Sequence, residues 1–283
     1  MPRMSNRRKL AIASWRAPRE GNIYGKLTLD ATQALAYLEH VRTTTGERAT
    51  ITHLVGKVAA IALGEERSLN GRILMGKYRP HDTVDIAFLV AFEEGADLAQ
   101  AKIEHADQKS TADIARELRE KAERLRARAD KDFNKGQGLV KLLPTWLIRP
   151  LLWFTGWLTA SVGLPAFGQK KFPFGSCIIT SVGMFGLDEG FAPPTPFARV
   201  PIYVLVGAVR EQPTVVDGKV VVRPMLTVTA TIDHRFIDGY QGGVLARAFR
   251  RTFDNPWQLD GLAGPPVPAR RRAAKVAGAR PPS

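Results

Sequence analysis

The sequence predicts a mixed α/β fold, and three observations lead to this prediction. Residues 83–92 and 226–232 are apolar or alternating runs of the kind that forms strands. Residues 110–130 predict a helix, because Glu and Arg or Lys recur at i,i+4 and Ser110 and Asp113 are placed to form a capping box at its start. The chain has 283 residues and is 45% hydrophobic, which suffices for a substantial core in one large or two small domains.

The remaining elements of the N-terminal and central regions follow the same alternation. Residues 22–30 predict a strand that runs into a helix capped near Asp30. Residues 49–66 predict a second helix, because apolar residues recur on one of its faces. Residues 177–186 and 200–209 are mostly β-branched and apolar, so we expect both to be strands in the sheet.

The C-terminal elements are a hairpin, a strand and a closing helix. Residues 213–224 predict a hairpin whose turn is Asp217-Gly218, a pair that tolerates the positive φ angles of a tight hairpin turn. The alternating strand at 226–232 follows. Residues 241–253 predict a helix with its apolar side facing inward.

Charge and cysteine content limit the function classes. The net charge is +14, and much of it lies in a basic arm at 1–6 with the residues just after it and in a tail at 263–283 that we expect to be disordered. Nucleic-acid binding is not expected, because no zinc-finger spacing or RNA-binding signature accompanies the charge. Cys177 is the single cysteine, which excludes an internal disulfide. No secretory signal is visible, so we expect a cytoplasmic location.

The stretch 226–239, "LTVTATIDHRFIDG", contains the principal candidate for chemistry. Its strand ends at Asp233, so His234 and Asp238 lie on the connection to the closing helix, where side chains can face a cleft. A neutral histidine can take a proton from a thiol or an alcohol near neutral pH. The alternative is that His234 only caps the helix or satisfies a local hydrogen bond.

The motif His-x-x-x-Asp-Gly at 234–239 resembles that of the chloramphenicol-acetyltransferase-like superfamily. The fuller "DHRFIDG", together with "TSVGMFGLDEGFAPP" and the hairpin segment, resembles the catalytic domain of the acyltransferase component of 2-oxo acid dehydrogenase complexes. The resemblance covers roughly residues 7–130 and 173–260, and we assign 7–262 to this domain. It implies a two-layer α/β fold, a homotrimer or a larger assembly, and active sites in channels at subunit interfaces.

The resemblance also implies acyl transfer between coenzyme A and a thiol of the dihydrolipoyl type or a hydroxyl acceptor. His234 matches the family's general base, and Thr180 matches the hydroxyl that donates to the tetrahedral oxyanion, with Ser181 as an alternative. Asp238 matches the motif aspartate, for which we expect a role in holding the loop. Transfer would be direct, within a ternary complex. The scattered histidines lack metal-ligand spacing, so no metal is expected.

Two departures from the family bear on the acceptor. No lipoyl domain precedes the catalytic region, so we expect a stand-alone form to which another chain supplies any lipoyl group. The segment at 19–30, "REGNIYGKLTLD", also lacks the Pro-His pair usual in the family. Two alternatives to an enzyme remain open: a non-catalytic assembly or scaffold protein on the same fold, and a protein whose function is membrane or nucleic-acid binding.

An apolar helical insertion at about 131–172 is the largest departure. Residues 150–169 carry no charge, yet the flanking elements belong to one sheet and must lie on the same side of any membrane. We also expect its prolines and glycines to interrupt a continuous helix. Three interpretations stay open: peripheral membrane contact through 142–168, a lid over an acyl channel, and packing or an oligomer contact.

Overall fold

The computed structural model describes residues 21–92, 97–126 and 143–266. These residues form eight strands and five α-helices. The strands are β1 (Asn22–Asp30), β2 (Gly71–Leu74), β3 (Lys77–Pro80), β4 (Ile86–Phe92), β5 (Asp97–Ile103), β6 (Cys177–Ser181), β7 (Ile202–Val216) and β8 (Lys219–Asp233). The helices are α1 (Thr32–Thr45), α2 (Ile51–Glu65), α3 (Thr111–Arg126), α4 (Thr145–Gly156) and α5 (Gly239–Asp254), and a π-helical segment (Trp157–Val162) continues α4.

Six strands form one mixed sheet in the order β1-β8-β7-β6-β4-β5, and β2 and β3 form a separate antiparallel hairpin. Strand β6 runs parallel to both β4 and β7, and the other pairs of the sheet are antiparallel. The β7–β8 hairpin has the predicted turn, in which Asp217 and Gly218 both have positive φ (50° and 76°). The long hairpin places the β8–α5 connection beside the start of β7.

Helices cover one face of the sheet, which gives two layers and confirms the predicted fold class. The main core joins residues of α1, α2, α3 and α5 to inward residues of the strands, among them Phe88, Ile179 and Val204. A smaller cluster on the opposite face contains Ile178 and Tyr203. Because successive residues of a strand point to opposite faces, the two clusters define a helix-covered face and an open face of the sheet.

Several predicted boundaries were wrong. The strand expected at 177–186 stops at Ser181, and Gly183–Phe185 form a 3₁₀ turn. Helix α5 begins at Gly239 instead of Gln241. The strands β2, β3 and β5 were not predicted. The β2–β3 hairpin is short and partly exposed, with β3 exposed throughout, so it lacks the alternation that marks a half-buried strand.

The prediction for the apolar insertion was wrong in part. Helix α4 runs through Pro150, and helical backbone continues past Gly156 into the π-helical segment, ending at Gly163, which has φ 85°. Pro150 lies on the exposed side of the helix, where a carbonyl that loses its helical partner can bind water. Residues 131–142, the arm at 1–6 and the tail from 267 on lie outside the described residues. Among the described helices, none has both the length and the apolarity to cross a bilayer.

Candidate active site

The connection between β8 and α5 holds His234 at an exposed position. Two backbone hydrogen bonds fix its start: the Asp233 amide donates to the Pro201 carbonyl (2.9 Å), and the His234 amide donates to the Gly21 carbonyl (3.2 Å). The Arg235 guanidinium binds the Asp233 carboxylate, with its Nε 2.9 Å from Oδ1. The loop that carries His234 is therefore hydrogen-bonded at its start to the segments that precede the two neighbouring strands, β1 and β7.

The imidazole of His234 has a defined tautomer. Its Nδ1 lies 2.6 Å from the carbonyl oxygen of Ile237. A carbonyl oxygen can only accept a hydrogen bond, so Nδ1 carries the proton and donates it. The other ring nitrogen, Nε2, then has a free lone pair in the neutral ring. This is the arrangement that a general base requires, because the basic nitrogen is oriented by a hydrogen bond on the opposite side of the ring.

Asp238 caps helix α5. Its Oδ1 accepts the amide hydrogen of Tyr240 (2.8 Å), and the side-chain oxygen of Gln241 accepts the amide hydrogen of Asp238 (3.0 Å). These two bonds satisfy amide groups that have no partner within a helix. The carboxylate is thus used to fix the start of α5, which in turn fixes the loop of His234.

Thr180 lies in the middle of the sheet, where it is half-buried near the end of β6. Alternation places it on the open face with Ile178, and places Ser181 on the helix-covered face with Ile179. Its neighbours across the sheet are Leu205 on β7 and, beyond that, Thr229 on β8. The open face is the side from which a substrate could reach the Thr180 hydroxyl.

The structure does not bring Thr180 and His234 together within one chain. Thr180 is in register with Thr229, which precedes Asp233 by four residues on β8, two strands away. With about 3.3 Å per residue and about 4.8 Å between strands, the Cα atoms of Thr180 and Asp233 are about 16 Å apart. The two side chains cannot reach one reacting carbon from that separation.

Two buried hydroxyl groups near Thr180 were not singled out in the sequence. The Thr229 hydroxyl donates to the Gly190 carbonyl, and the Tyr203 hydroxyl accepts the amide hydrogen of Thr195 (2.9 Å). Both bonds hold the 190–195 segment against the open face. Burial raises the pKa of Tyr203, so its hydroxyl stays protonated. The alternating threonines of 227–231 were the available signal, because polar residues on a buried strand need partners.

The other reactive groups of the described region do not form a site. Cys177 is buried, and burial raises the pKa of its thiol, so it does not provide a thiolate nucleophile. Within residues 21–92, 97–126 and 143–266, no three His, Cys, Asp or Glu side chains are placed to hold a metal ion.

The comparison with protein families identifies the family of the chain. Residues 18–137 and 168–260 match the family model for the catalytic domain of 2-oxoacid dehydrogenases acyltransferase, and together they make up more than half of the chain. The chain belongs to this family. The unmatched residues between the two segments, 138–167, contain α4 and the π-helical segment, so most of the expected insertion is absent from the family model.

Relatives and solved structures support the family and the fold. A mitochondrial dihydrolipoyllysine-residue succinyltransferase component of the 2-oxoglutarate dehydrogenase complex from Bos taurus is 36% identical over 84 residues, which are 29% of this chain and 18% of that protein. The chain thus matches less than a fifth of the length of this relative.

Two solved structures extend the similarity over most of the chain. The cubic core of a pyruvate dehydrogenase complex has a TM-score of 0.63 at 19% identity, covering 89% of this chain and 87% of that one. A dihydrolipoamide acetyltransferase of Azotobacter vinelandii has a TM-score of 0.62 at 20% identity, covering 85% and 84%. That enzyme was studied for the roles of a serine, a histidine and an asparagine in catalysis. At these identities the similarity shows that the chain shares the fold of these two structures.

Proposed function

We propose that this chain transfers an acyl group between coenzyme A and a thiol acceptor of the dihydrolipoyl type, with His234 as the general base. The observation that carries the proposal is the hydrogen bond from Nδ1 of His234 to the Ile237 carbonyl, which leaves Nε2 as the basic nitrogen. Membership of the acyltransferase family supports the reaction class. The name of the bovine relative, a dihydrolipoyllysine-residue succinyltransferase, supports the choice of acceptor over a hydroxyl compound.

The reaction needs one proton to move twice. Nε2 of His234 removes the proton from the attacking thiol, and the thiolate forms a new C–S bond to the carbonyl carbon of the acyl thioester. The carbonyl oxygen then carries the negative charge, and the Thr180 hydroxyl donates a hydrogen bond to it. When the tetrahedral species collapses, the C–S bond to the leaving thiol breaks, and the protonated imidazole returns its proton to that sulfur. No covalent acyl-enzyme forms, so the acyl thioester and the acceptor thiol are bound at the same time.

We propose that each site combines His234 of one copy with Thr180 of a neighbouring copy. The separation of about 16 Å within one chain supports this, since neither residue can complete a site alone. In a closed homotrimer, each copy contributes His234 to one site and Thr180 to another. A larger assembly of trimers is compatible with this arrangement. The exposed apolar side chains just after β6 favour such a contact; they are Met184, Phe185 and Leu187. Another, lipoyl-bearing chain would deliver the acceptor thiol.

The test is an assay of free coenzyme A release. The full-length protein is given a panel of acyl-coenzyme A thioesters with dihydrolipoamide or simple alcohols as acceptors, beside the His234→Ala variant. We expect release that depends on dihydrolipoamide and falls by about 10²–10⁴-fold in the variant. A matched control is His105→Asn, which removes another exposed histidine at a positive φ that asparagine tolerates.

The outcomes separate the alternatives clearly. Full release in His234→Ala would refute the base, and release only with alcohols would refute the thiol acceptor. Absence of release with every pair would favour a non-catalytic assembly role on the same fold. An equal loss in the His105→Asn control would point to general destabilisation instead of chemistry.

A further inference from the structure

Helix α4 has an apolar face that points away from the rest of the protein. The exposed positions of the helix and of the residue after it are Trp146, Leu147, Pro150, Phe154 and Trp157, all of them apolar. With 100° per residue they fall within an arc of about 100°. A surface helix of a soluble domain normally directs its polar residues outward, so the polarity of α4 is inverted. The loop that follows exposes two further apolar side chains, Leu164 and Phe167.

The opposite side of the insertion is fixed to the body of the protein. Ile148 is only 2% exposed. The Ser161 carbonyl accepts a hydrogen bond from Nε of Arg72 (2.9 Å), and the Ser161 hydroxyl accepts one from Arg199 (3.1 Å). Gly156 packs so closely on Phe197 that there is no room for a side chain between them. The outer apolar face therefore belongs to a segment that is packed against and hydrogen-bonded to the rest of the protein.

In the segment of sequence that carries the outer apolar face, every charged residue is positive. The sequence has no acidic residue between Asp132 and Asp188, and the exposed Lys170 and Lys171 follow the loop of Phe167. The whole chain has a net charge of +14. A contact between proteins can include carboxylates, whereas an anionic lipid surface repels carboxylates and attracts lysines.

The exposed apolar patch after β6 differs in the charges beside it, which are of both signs. Met184, Phe185 and Leu187 lie beside Asp188 and Glu189, which pair with Arg210 and Lys26. Such a mixture of apolar groups and paired charges is typical of a contact between proteins. The outer apolar face instead combines tryptophans with flanking lysines, the pattern of helices that lie in the plane of a membrane surface.

We propose that the outer apolar face of α4 binds the surface of an anionic lipid bilayer. Trp146, Phe154 and Trp157 would enter the boundary between headgroups and acyl chains, and Lys170 and Lys171 would contact the anionic headgroups. The helix has 12 residues and lies on the protein surface, so this is contact in the plane of the membrane. The proposal is independent of acyl transfer, and either can fail without the other.

The test measures binding of the full-length protein to lipid vesicles by sedimentation. One set of vesicles is phosphatidylcholine with about one third phosphatidylglycerol, and the other is phosphatidylcholine alone. We expect binding to the anionic set that weakens with salt. The variant Trp146→Glu/Phe154→Glu should bind at least about 30-fold more weakly, since it loses two buried rings and gains two repelled charges. Lys170→Gln/Lys171→Gln should lose about fivefold per lysine.

The matched control is Val215→Glu/Val222→Glu on the β7–β8 hairpin. These valines are 68% and 66% exposed, between the values of Trp146 (75%) and Phe154 (51%), and the change in net charge is the same. We expect this control to bind within about threefold of the wild type, since charges beyond a Debye length are screened. Circular dichroism of all variants checks that the fold is retained.

Four results would overturn the proposal. The first is no binding of the wild type to anionic vesicles. The second is an equal loss in the valine control. The third is undiminished binding of Trp146→Glu/Phe154→Glu, which would assign the binding to the basic termini. The fourth is a smaller particle mass for Trp146→Glu/Phe154→Glu in sedimentation equilibrium, which would make the outer apolar face a contact between copies.

Discussion

The side-chain hydrogen bonds of the β8–α5 connection and those of the apolar insertion join residues at very different separations along the sequence. In the connection, the side chains of His234, Asp238 and Gln241 bond to groups no more than three residues away. In the insertion, Ser161 bonds to Arg72, which is 89 residues away, and to Arg199, 38 residues away. The orientation of the side chains in the connection can therefore be understood from a short stretch of sequence, although the backbone of the loop is also held by Gly21 and Pro201. The placement of the insertion, in contrast, depends on the whole fold.

The same difference separates the two halves of the proposed site. His234 has its orienting partner within its own loop, whereas the position of Thr180 depends on the register of the sheet. Under the proposal, the base is oriented locally and the complete site forms only when copies assemble. The following predictions test this distinction, beginning with the largest expected effect.

Thr180→Ala should lower kcat by about 10²–10³-fold, because it removes the hydrogen bond to the oxyanion. Thr180→Ser retains the hydroxyl and should keep most of the activity. Steady-state kinetics of the two variants with the best acyl thioester measures the effect. Comparable losses in both variants would mean that the methyl group, and hence packing, is what matters at this position.

Gly156→Ala should destabilise the protein by about 1–3 kcal/mol. A Cβ at Gly156 would lie 2.2 Å from the Phe197 carbonyl oxygen, so the insertion must shift. The matched control is Gly64→Ala in helix α2, where no atom lies within 4 Å of the added Cβ. That change should stabilise by about 0.5–1 kcal/mol, the usual gain for alanine in a helix. Urea unfolding of both variants measures the sign of the change in the free energy of unfolding. A stabilised Gly156→Ala variant would contradict the close packing of α4.

Stability should fall as the pH is lowered from about 6.5 to about 4. Burial, helped by the nearby Arg72, lowers the pKa of His81 to about 4, and its ring packs on Phe172 at the end of the insertion. The unfolded chain takes up this proton near pH 6.5, so protonation favours unfolding within that window. The stabilisation is complete above pH 6.5 and amounts to the order of 1–3 kcal/mol.

Unfolding measured at pH 7.5 and pH 5 checks this, with His81→Gln as the variant that cannot titrate there. The variant should show a smaller loss between the two pH values than the wild type. The nearby Asp82, Asp85 and Lys102 contribute smaller effects of both signs, and they remain in the variant. An identical pH dependence in both proteins would assign the loss to other groups.

Asp238→Ala should cost about 1 kcal/mol, since it removes the N-cap of α5. Asp238→Asn keeps an oxygen acceptor for the Tyr240 amide and should be close to the wild type in stability. Thermal unfolding compares the two. Because the capped helix fixes the loop of His234, the alanine variant should also lose activity modestly, and equal behaviour of both variants would show that the cap does not support the site.

Local signals in the sequence predicted much of this molecule. The Asp217-Gly218 turn and the Ser110–Asp113 capping box both form as expected, because each is a contact between residues close in sequence. The placement of His234 at the end of β8 was also predicted. Helix α4 shows the limit: it continues through Pro150, where a break was expected, and the contacts of the segment with Arg72 and Arg199 cannot be read from the segment alone.

The central claim is that His234 and Thr180 act from different copies, and mixed assemblies test it most directly. His234→Ala and Thr180→Ala chains are each purified, then co-refolded in equal amounts and assayed for release of coenzyme A. Random mixing gives about three quarters mixed trimers, and in each of these about one site in three combines an intact His234 from one variant with an intact Thr180 from the other, so about a quarter of all sites are complete. We therefore expect about a quarter of the wild-type activity to return. If the mixture stays as inactive as the separate variants, although mass analysis shows mixed assemblies, the two residues do not share a site between copies.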